Sequence, residues 1–395
     1  MFVTELILLF SSILLCTTAR PTSPSPRAST VASNSTLLRN PRDATCYDVI
    51  LPISFEVNGY EWIRPRWTND YEMIDYIGVE ASRRPYNKSQ IVQSSTIGGN
   101  YSISGTFCIP NKVGSKASTV ILATHGLWYD RNYWSLPFET ETYNFADRAI
   151  AQGYSLFLYD RLGVGGSSKL SGFEAQALHH VQVLRQLIGI VQSNTHTSAY
   201  LPSVNKTVLI GHAYGSIIMA QLLQFYPNIA DVAILETLAE AFNGAVSLET
   251  FAPRIAAVLN STRFGYADPG YLTWPDKVAA VNNNFKLGYY TDQAVDYLES
   301  HRTAYSVMEP LTQGFLNLNA TQFPGPTLVL NGEFTSTVCQ GYCPGVTQAD
   351  FIGVWRAATP LDISIVPGCA HSLHLCSKVS SIYDQIFAFL QKVGY

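Results

Sequence analysis

Eight short apolar runs, separated by segments with helical spacing, occupy the chain from about Cys46 onward. This alternation is typical of an α/β protein whose sheet is largely parallel, because each parallel connection needs a crossover, usually a helix. The predicted strands are 49–57, 101–108, 119–124, 155–160, 207–210, 232–235, 327–331 and 363–366. We therefore predict an α/β fold with a mostly parallel eight-stranded sheet flanked by helices.

Three helices are predicted most clearly. One opens with Ser171-Gly-Phe-Glu174, which has the form of a capping box, and continues through apolar residues at helical spacing as far as Val191. The others are 214–226 and 382–393. They place helical layers directly after predicted strands.

The alternation of apolar strand-like runs with helical segments stops between residues 241 and 322, a segment rich in Tyr, Phe, Asn and Ala. We predict that 241–322 is a helical cap inserted over the sheet, and that 46–240 and 323–395 form the core.

The N-terminal residues 1–19 have the pattern of a secretory signal peptide, with an apolar run from Leu6 and small residues before Arg20. A membrane anchor is the alternative, but Ser11-Ser12 interrupts the run, which is shorter than the roughly 20 residues of a span. No later apolar run is long enough to cross a bilayer. Residues 20–45 are rich in Pro, Ser and Thr and are predicted to be a flexible leader.

The cysteines and sequons agree with secretion. Six cysteines remain after the signal, an even number suited to an oxidising compartment. Of the possible connectivities we predict Cys46–Cys108, Cys339–Cys343 and Cys369–Cys376. Six Asn-x-Ser/Thr sequons predict glycosylation at Asn34, Asn87, Asn100, Asn205, Asn260 and Asn319.

Charge and motifs exclude several partners. With 25 Lys and Arg against 29 Asp and Glu, the chain is no basic nucleic-acid binder. It contains no Gly-rich phosphate loop, so no cofactor is predicted. The run from Cys369 through His371 and His374 to Cys376 contains zinc-ligand residue types, but a disulfide explains its cysteines better, and no metal is predicted. Nothing in the sequence specifies an oligomeric state.

Three motifs at predicted strand ends point to one site. Gly211-His-Ala213-Tyr-Gly215 lies between a strand and a helix, with glycines spaced as in G-x-S-x-G. His125-Gly126-Leu127 follows an earlier strand, where a backbone N–H can join an oxyanion hole. His371 follows the last strand.

These motifs resemble those of the α/β-hydrolase superfamily, and the resemblance covers nearly the whole chain after the signal. The segment 159–167, Tyr-Asp-Arg-Leu-Gly-Val-Gly-Gly-Ser, is similar to a string that follows the fourth strand in that family. The overall pattern is similar to secreted fungal members. The resemblance implies a nucleophile at 213, a base at His371, and an oxyanion hole formed by the N–H groups of Tyr214 and Leu127.

Two positions depart from the family. The nucleophile position holds Ala213, whose methyl group cannot attack a carbonyl, and the expected acid position holds Thr335. A change engineered at 213 is one explanation, but it accounts for neither the retained signal nor Thr335. Ser216 is interpreted as a core or cap serine. The carboxylates that could still reach His371 are Glu333, Glu236 and Glu240, although a surface or supporting role is favoured for them.

The remaining histidines are interpreted structurally: His212 packs beside the turn at 213, and His179 and His180 lie on a helix face. His371 is either a general base or a relic that forms hydrogen bonds in the pocket.

Three functions remain open. The first is an enzyme that polarises the carbonyl of a small apolar molecule and moves a proton with His371, giving isomerisation, cyclisation, elimination or slow hydrolysis. The second is a non-catalytic protein that binds a ligand or partner. The third is a serine esterase or lipase-like hydrolase, which requires an engineered alanine at 213.

Overall fold

A computed structural model describes residues 37–82, 93–193, 203–238, 248–249, 251–346 and 348–395. The predicted signal, the sequons at Asn34 and Asn87, and Glu240 lie outside these ranges. The strands are β1 (Ala44–Glu61), β2 (Gln93–Pro110), β3 (Thr119–Thr124), β4 (Ser155–Tyr159), β5 (Lys206–His212), β6 (Val232–Glu236), β7 (Arg254–Ile255), β8 (Tyr271–Thr273), β9 (Tyr305–Ser306), β10 (Thr327–Gly332) and β11 (Leu361–Val366).

The main sheet has eight strands in the order β1-β2-β4-β3-β5-β6-β10-β11. The β1–β2 and β2–β4 pairs are antiparallel, and the remaining pairs are parallel. Each predicted run corresponds to one of these strands, so the predicted sheet is confirmed. Every residue of β3, β4 and β6 is buried, which explains why these strands read as continuous apolar runs.

Helices cover both faces of the sheet. Those with described bounds are α1 (Asp70–Ala81), α2 (Thr140–Tyr143), α3 (Phe145–Ala151), α4 (Ala177–Ser193), α5 (Tyr214–Phe225), α6 (Ala256–Leu259), α7 (Ser261–Phe264), α8 (Lys277–Asn284), α9 (Asp292–His301), α10 (Met308–Gln313), α11 (Ser336–Cys339), α12 (Gln348–Val354) and α13 (Val379–Lys392). Along β3, Ile121 joins the apolar cluster that contains α3 and α13, whereas Leu122 joins the cluster that contains α4 and α5. Because successive side chains of a strand point to opposite faces of the sheet, β3 contributes to two separate apolar cores.

The predicted capping box at Ser171 is wrong. Helix α4 begins at Ala177, and residues 172–174 form a turn. The Ser171 hydroxyl instead donates to the Asp268 carboxylate of the insertion, and Glu174 pairs with Arg66 at 3.2 Å. The Ser171 oxygen also accepts the Phe173 N–H at 3.2 Å, so this serine caps the turn at 172–174 and not helix α4.

The inserted segment is not purely helical. Besides short helices it contains a three-stranded antiparallel sheet in the order β7-β8-β9. We call the described part of this insertion, from Leu248 to Gln322, the cap.

The predicted leader ends earlier than residue 45. Leu37 is buried, and the Leu38 N–H donates to Asn132 Oδ1 at 2.8 Å. The Arg39 and Arg42 side chains pair with Asp147 at 2.9 and 3.2 Å. These contacts hold residues 37–45 against the core, because the Arg39 and Arg42 side chains both pair with the buried Asp147 carboxylate.

The β1–β2 hairpin and α1 hold the cap from one side. β2 pairs with β4 only over Gly105–Cys108, so the outer half of the hairpin extends beyond the main sheet. The Trp67 indole donates to the Pro269 carbonyl at 2.7 Å, and Asp70 accepts from the Ile255 N–H at 2.7 Å. We call the outer half of this strand pair, together with residues 62–69 and α1, the arm.

The structure contains three disulfides, Cys46–Cys108, Cys339–Cys343 and Cys369–Cys376, the pairs that we predicted. The described sequon asparagines, Asn100, Asn205, Asn260 and Asn319, are all exposed. Within the described ranges, no helix is both long and apolar enough to span a bilayer.

Candidate functional site

Ala213 occupies a sharp turn between β5 and α5. Its φ of 51° and ψ of −113° are unusual for a residue with a side chain. The flanking glycines are needed for space: a Cβ on Gly211 would come within 2.7 Å of the Ser216 nitrogen, and one on Gly215 within 2.1 Å of the Thr124 carbonyl oxygen. The chain therefore keeps the geometry of a nucleophile turn with a methyl group at its apex.

Hydrogen bonds beneath the turn hold this geometry. The Ala213 N–H donates to the Glu236 carbonyl at 2.9 Å and to Thr237 Oγ1 at 3.1 Å. The Ser216 hydroxyl is fully buried and lies 2.7 Å from the Gly211 carbonyl and 2.8 Å from that of Glu236. Ser216 therefore has the structural role expected of it.

The loop at His125 and Gly126 packs directly on the turn. A Cβ on Gly126 would lie 3.2 Å from the Ala213 Cβ, so glycine permits this close approach. His125 Nδ1 donates to the Gly126 carbonyl at 2.9 Å, and His125 Nε2 accepts the Arg161 N–H at 3.1 Å. Burial and the nearby Arg161 guanidinium hold the pKa of His125 well below its usual range, so this ring is neutral and carries its proton on Nδ1.

The same contacts orient a backbone donor. The Gly126 carbonyl accepts from His125 and from Arg161 Nη2 at 3.2 Å. Because C=O and N–H point in opposite directions across a trans peptide, the Leu127 N–H is directed away from these two side chains. The Tyr214 N–H opens α5 and has no partner within that helix. Both predicted oxyanion residues, Leu127 and Tyr214, line one cavity with Ala213.

His371 reaches this cavity from the loop after β11. Its Nδ1 lies 3.0 Å from the Thr337 hydroxyl, and its ring centre is 5.3 Å from that of His212. Burial, reinforced by His212, holds the pKa of His371 well below its usual range. His371 is therefore a neutral imidazole supported by a hydroxyl.

Thr335, the residue at the expected acid position, does not face His371. Its hydroxyl donates to the Gly332 carbonyl at 3.0 Å and stays buried before α11. The single turn of α11 carries Thr337 to the histidine instead. The identity of this neighbour depends on the local turn, which motif spacing does not encode.

The two alternative acids within the described ranges, Glu333 and Glu236, have other partners. Glu333 Oε2 accepts from the Gly368 N–H at 2.7 Å, and Glu236 Oε1 lies 2.9 Å from His374 Nε2. No carboxylate in the described part of the chain forms an ion pair with His371. The supporting roles favoured for Glu333 and Glu236 agree with these contacts.

Glu236 and His374 form a fully buried pair below the site. The Tyr383 hydroxyl donates to the Tyr143 carbonyl at 2.8 Å, so it can only accept from His374 Nδ1, 3.3 Å away. His374 Nε2 and Glu236 then share one proton. Although burial opposes the charged carboxylate, His374 and His212 lower the pKa of Glu236. His374 thus has a structural partner, and the described residues contain no cluster of His, Cys, Asp or Glu able to hold a metal.

A second buried charge cluster, which the sequence did not predict, links the core to the cap. The Arg161 guanidinium and His180 Nε2, the latter at 2.8 Å, both contact the Glu309 carboxylate on α10. Burial alone would raise the pKa of Glu309, but Arg161 and His180 lower it to about 2. Arg161 also lies 4.8 Å from the centre of the Tyr214 ring. His180 lies on a face of α4, as expected, and this face packs against Glu309.

The cavity is small and mostly apolar. Its described lining consists of Leu127, Trp128, Ala213, Tyr214, Ile217, Thr237, Phe251, Gln313, Thr337, Val338 and His371. Its volume is about 40 Å³, and a water needs about 10–15 Å³ on this measure. The site therefore suits a small ligand or one end of a longer one.

Comparison with known proteins agrees with this geometry. The model of the alpha/beta hydrolase family matches residues 120–379. The fold is similar to that of a thermophilic esterase from Thermogutta terrifontis, solved with malate, at 14% identity and a TM-score of 0.52 over 75% of this chain and 96% of that one. A hydrolase from Pseudomonas aeruginosa aligns at 13% identity and a TM-score of 0.50, over 73% of this chain and 94% of that one.

At such identities these structures show likeness of fold alone. No curated protein matches the sequence significantly. The family match spans more than half of the chain and includes the turn at Ala213, the loop at Gly126 and His371. The protein therefore belongs to the alpha/beta hydrolase family.

Proposed function

We propose that this protein acts on a small apolar carbonyl compound without forming a covalent intermediate. The observation that carries the proposal is that Leu127, Ala213, Tyr214 and His371 line one cavity. Two backbone donors and one imidazole thus surround a position from which the nucleophile is missing.

The backbone donors supply the electrophilic part. A carbonyl oxygen placed between the N–H groups of Tyr214 and Leu127 would be polarised, and negative charge developing on it would be stabilised. The Ala213 methyl leaves no oxygen to attack the carbonyl carbon, so no acyl intermediate forms. The family's triad is in this sense degenerate.

His371 supplies the proton transfer. A carboxylate would hold Nδ1 permanently protonated, whereas the Thr337 hydroxyl can donate to Nδ1 or accept from it. His371 Nε2 can then take a proton from the carbon next to the carbonyl, and the C–H electron pair becomes an enolate held by the two N–H groups. Return of the proton to another carbon gives isomerisation, and loss of a leaving group from the enolate gives elimination.

Exchange of carbon-bound hydrogen tests this directly. Small ketones and keto esters incubated with the protein in D₂O should gain deuterium next to the carbonyl, as followed by NMR. His371→Ala should abolish the exchange, and His301→Ala, which removes an exposed histidine outside the cavity, should not.

Binding without catalysis is the second candidate. It is favoured by the low pKa of His371 and by the lack of a described carboxylate to stabilise the protonated ring. Ligand retention with no exchange in the wild type, and with equal affinity in His371→Ala, would support this second function.

We further propose that the protein is a secreted glycoprotein. Three disulfides and four exposed sequons among the described residues support an oxidising, glycan-adding compartment.

A further inference from the structure

We propose that Cys339 and Cys343 are positioning residues for the site: their disulfide holds Thr337 against His371, so a dithiol that reduces it slows proton transfer while the fold persists. The catalytic consequence rests on the proposed function, whereas the contact between Thr337 and His371 can be measured without it. One of the three disulfides thus makes the site sensitive to reduction.

The contact between Thr337 and His371 depends on the position of α11. Within the described ranges, the Thr337 hydroxyl is the only side-chain group that hydrogen-bonds to the His371 ring, at 3.0 Å from Nδ1. Thr337 and its neighbour Val338 both lie on α11 and both line the cavity. The place of this helix therefore decides how His371 is supported and where one wall of the cavity stands.

Noncovalent contacts hold α11 weakly. All four of its residues are only partly buried, and no side chain caps its first turn. A single helical turn is unstable by itself, because forming it fixes several residues for one hydrogen bond. The Ser336 hydroxyl donates to Asn283 Oδ1 of α8 at 3.1 Å, and one neutral hydrogen bond of this kind contributes little.

The disulfide attaches the end of α11 to a fixed point. Cys339 is the last residue of α11, and Cys343 is fully buried. The Cys343 N–H donates to the Glu333 carbonyl at 2.8 Å. Glu333 Oε2 in turn accepts, at 2.7 Å, the Gly368 N–H from the loop that carries His371. The disulfide thus fixes α11 to the base of the histidine loop.

The turn between the two cysteines needs this closure. Gln340 has a φ of 59° and a ψ of 30°, and Gly341 has a φ of 107°. The left-handed conformation is unfavourable for glutamine, because its Cβ crowds the following carbonyl. Opening the disulfide lets Gln340 leave this conformation, and α11 then moves away from His371.

His371 itself is held by other contacts. Cys369 and Cys376 are both buried, and their disulfide closes the loop around the histidine. The adjacent Ser372 N–H donates to the Asn284 carbonyl at 3.1 Å, and the Ser372 hydroxyl donates to Asn284 Oδ1 at 2.8 Å. Loss of the disulfide at α11 therefore removes the supporting hydroxyl and leaves the histidine in the cavity.

Reduction takes a dithiol from the solvent. Dithiothreitol supplies two electrons and two protons: the S–S bond breaks, two cysteine thiols form, and the reagent closes into its own cyclic disulfide. The attacking thiolate must reach a sulfur atom. Cys339 is partly exposed, whereas Cys369 and Cys376 are both buried, so the pair at α11 is the more accessible of the two disulfides beside the site.

Titration of His371 tests the inference without reference to catalysis. Burial, reinforced by the neighbouring His212, holds the pKa of His371 well below its ordinary value of 6.5. In Cys339→Ala/Cys343→Ala the ring loses the cover of α11, so its pKa should rise toward that value. NMR of histidine-labelled full chain across pH 4–8 measures this, and the spectrum of His371→Ala identifies the signal.

Deuterium exchange into a small ketone measures the catalytic consequence. Cys339→Ala/Cys343→Ala should lower the exchange rate about tenfold, the effect of one lost hydrogen bond. Thr337→Val, which keeps the shape of the side chain, should lower it by a similar factor. Combining the two changes should add little, because the disulfide acts through the same hydroxyl.

Cys46→Ala/Cys108→Ala is the control, because it removes a disulfide between two directly paired strand residues outside the cavity. It should change neither the titration nor the exchange rate. Thermal unfolding should show that every variant is folded, since closing a short loop such as Cys339–Cys343 constrains the unfolded chain less than closing a long one. Wild-type protein treated with dithiothreitol is the second route. Alkylation and peptide mapping identify the opened pair, and reoxidation should restore both readouts.

An unchanged titration of His371 in folded protein that lacks the Cys339–Cys343 bond, by substitution or by reduction, would overturn the inference. Full additivity with Thr337→Val would overturn it as well. A raised pKa of His371 in a protein whose wild type shows no exchange would support the positioning role and refute the catalytic proposal. Exchange that requires His371 but not the disulfide would support the proposed function and refute the inference.

Discussion

At the residue scale, the central feature is a strained turn between β5 and α5 that carries the Ala213 methyl group at its apex. Ala213 retains a φ of 51°, and a conformation of this kind costs on the order of 1–3 kcal/mol for a residue with a side chain. The hydrogen bonds from its N–H to Glu236 and Thr237 offset part of that cost. The turn places Tyr214 beside the cavity, where its backbone N–H can serve the proposed mechanism.

Restoring a hydroxyl alone should do little. Ala213→Ser places an oxygen at the turn, but His371 lacks a carboxylate, and an unsupported histidine is typically weaker by about 10⁴ in kcat. The double variant Ala213→Ser/Thr337→Asp supplies the carboxylate where the Thr337 hydroxyl now touches His371. We expect a non-additive gain in kcat/KM on short p-nitrophenyl esters. Relative to the wild type, the fold-increase in the double variant should be far larger than the product of the fold-changes in the two single variants.

Thr335→Asp combined with Ala213→Ser is the matched control, because Thr335 faces the Gly332 carbonyl and not the histidine. It should show no comparable gain. A large gain from Ala213→Ser alone would mean that another group already orients His371.

The wild-type protein should also resist covalent labelling by a fluorophosphonate probe. Such probes need an activated hydroxyl, and Ser216, the nearest serine along α5, is buried and bonded to backbone carbonyls. Intact-mass spectrometry after incubation checks this. A stoichiometric adduct on any serine would contradict the non-covalent mechanism.

Residues whose role depends on short motifs could be predicted from the sequence, and residues whose role depends on packing could not. Gly126, Ala213 and His371 follow from strand-end motifs because backbone geometry and position are set locally. Thr337 and Gln313 were missed because a one-turn helix and the cap bring them to the site.

At the scale of elements, the contact between α10 and the loop after β4 couples the cap to the site. Glu309 on α10 and Arg161 on that loop are both buried, so each charge depends on the other. Removing one partner of such a pair typically costs about 3–5 kcal/mol, because the other charge is left unpaired. Glu309→Gln should therefore lower the free energy of unfolding by about that amount at pH 7, as measured by chemical denaturation.

The pH dependence of stability should identify this carboxylate. The folded-state pKa of Glu309 is lowered to about 2 from an ordinary value of 4.5. A lowered pKa contributes stability above the unfolded-state value, and that contribution is lost as the pH falls from about 4.5 toward 2. The stability difference between the wild type and Glu309→Gln should narrow over this window by on the order of 3 kcal/mol.

Glu141→Gln is the control, because Glu141 is an exposed partner of Arg42 and should change stability little at any pH. If the difference in free energy of unfolding between the wild type and Glu309→Gln stays constant down to pH 2, Glu309 does not carry a buried negative charge beside Arg161.

Element boundaries show the limit of sequence reasoning. Each strand run was identified because a buried parallel sheet demands continuous apolar residues. The start of α4 was misplaced because Ser171 bonds to Asp268, almost one hundred residues away. The cap sheet was missed because strands of two or three residues carry no periodic signal.

At the scale of the whole molecule, the covalent and surface features predict a secreted form. Material recovered from the medium should begin near Arg20, lose mass on endoglycosidase treatment, and show no free thiol in denaturant. N-terminal sequencing, gel mobility and thiol titration check these outcomes. Several free thiols would contradict the three disulfides.

The arm and the cap should behave as one closed unit over the site. The Trp67 indole donates to the Pro269 carbonyl, and Asp70 accepts from the Ile255 N–H, so the arm contacts β7 and the segment just before β8. Trp67→Phe/Asp70→Ala removes both bonds while keeping an aromatic ring in the cluster with Trp62 and Phe173.

Hydrogen exchange in the double variant should therefore speed up in the cap sheet, because local opening becomes easier, while β3 and β5 keep their protection. Tyr71→Ala, which changes a highly exposed residue of α1, is the control and should leave exchange unchanged. Faster exchange in the main sheet as well would mean that the arm supports the whole fold, whereas unchanged exchange in β7 and β8 would mean that other contacts hold the cap closed.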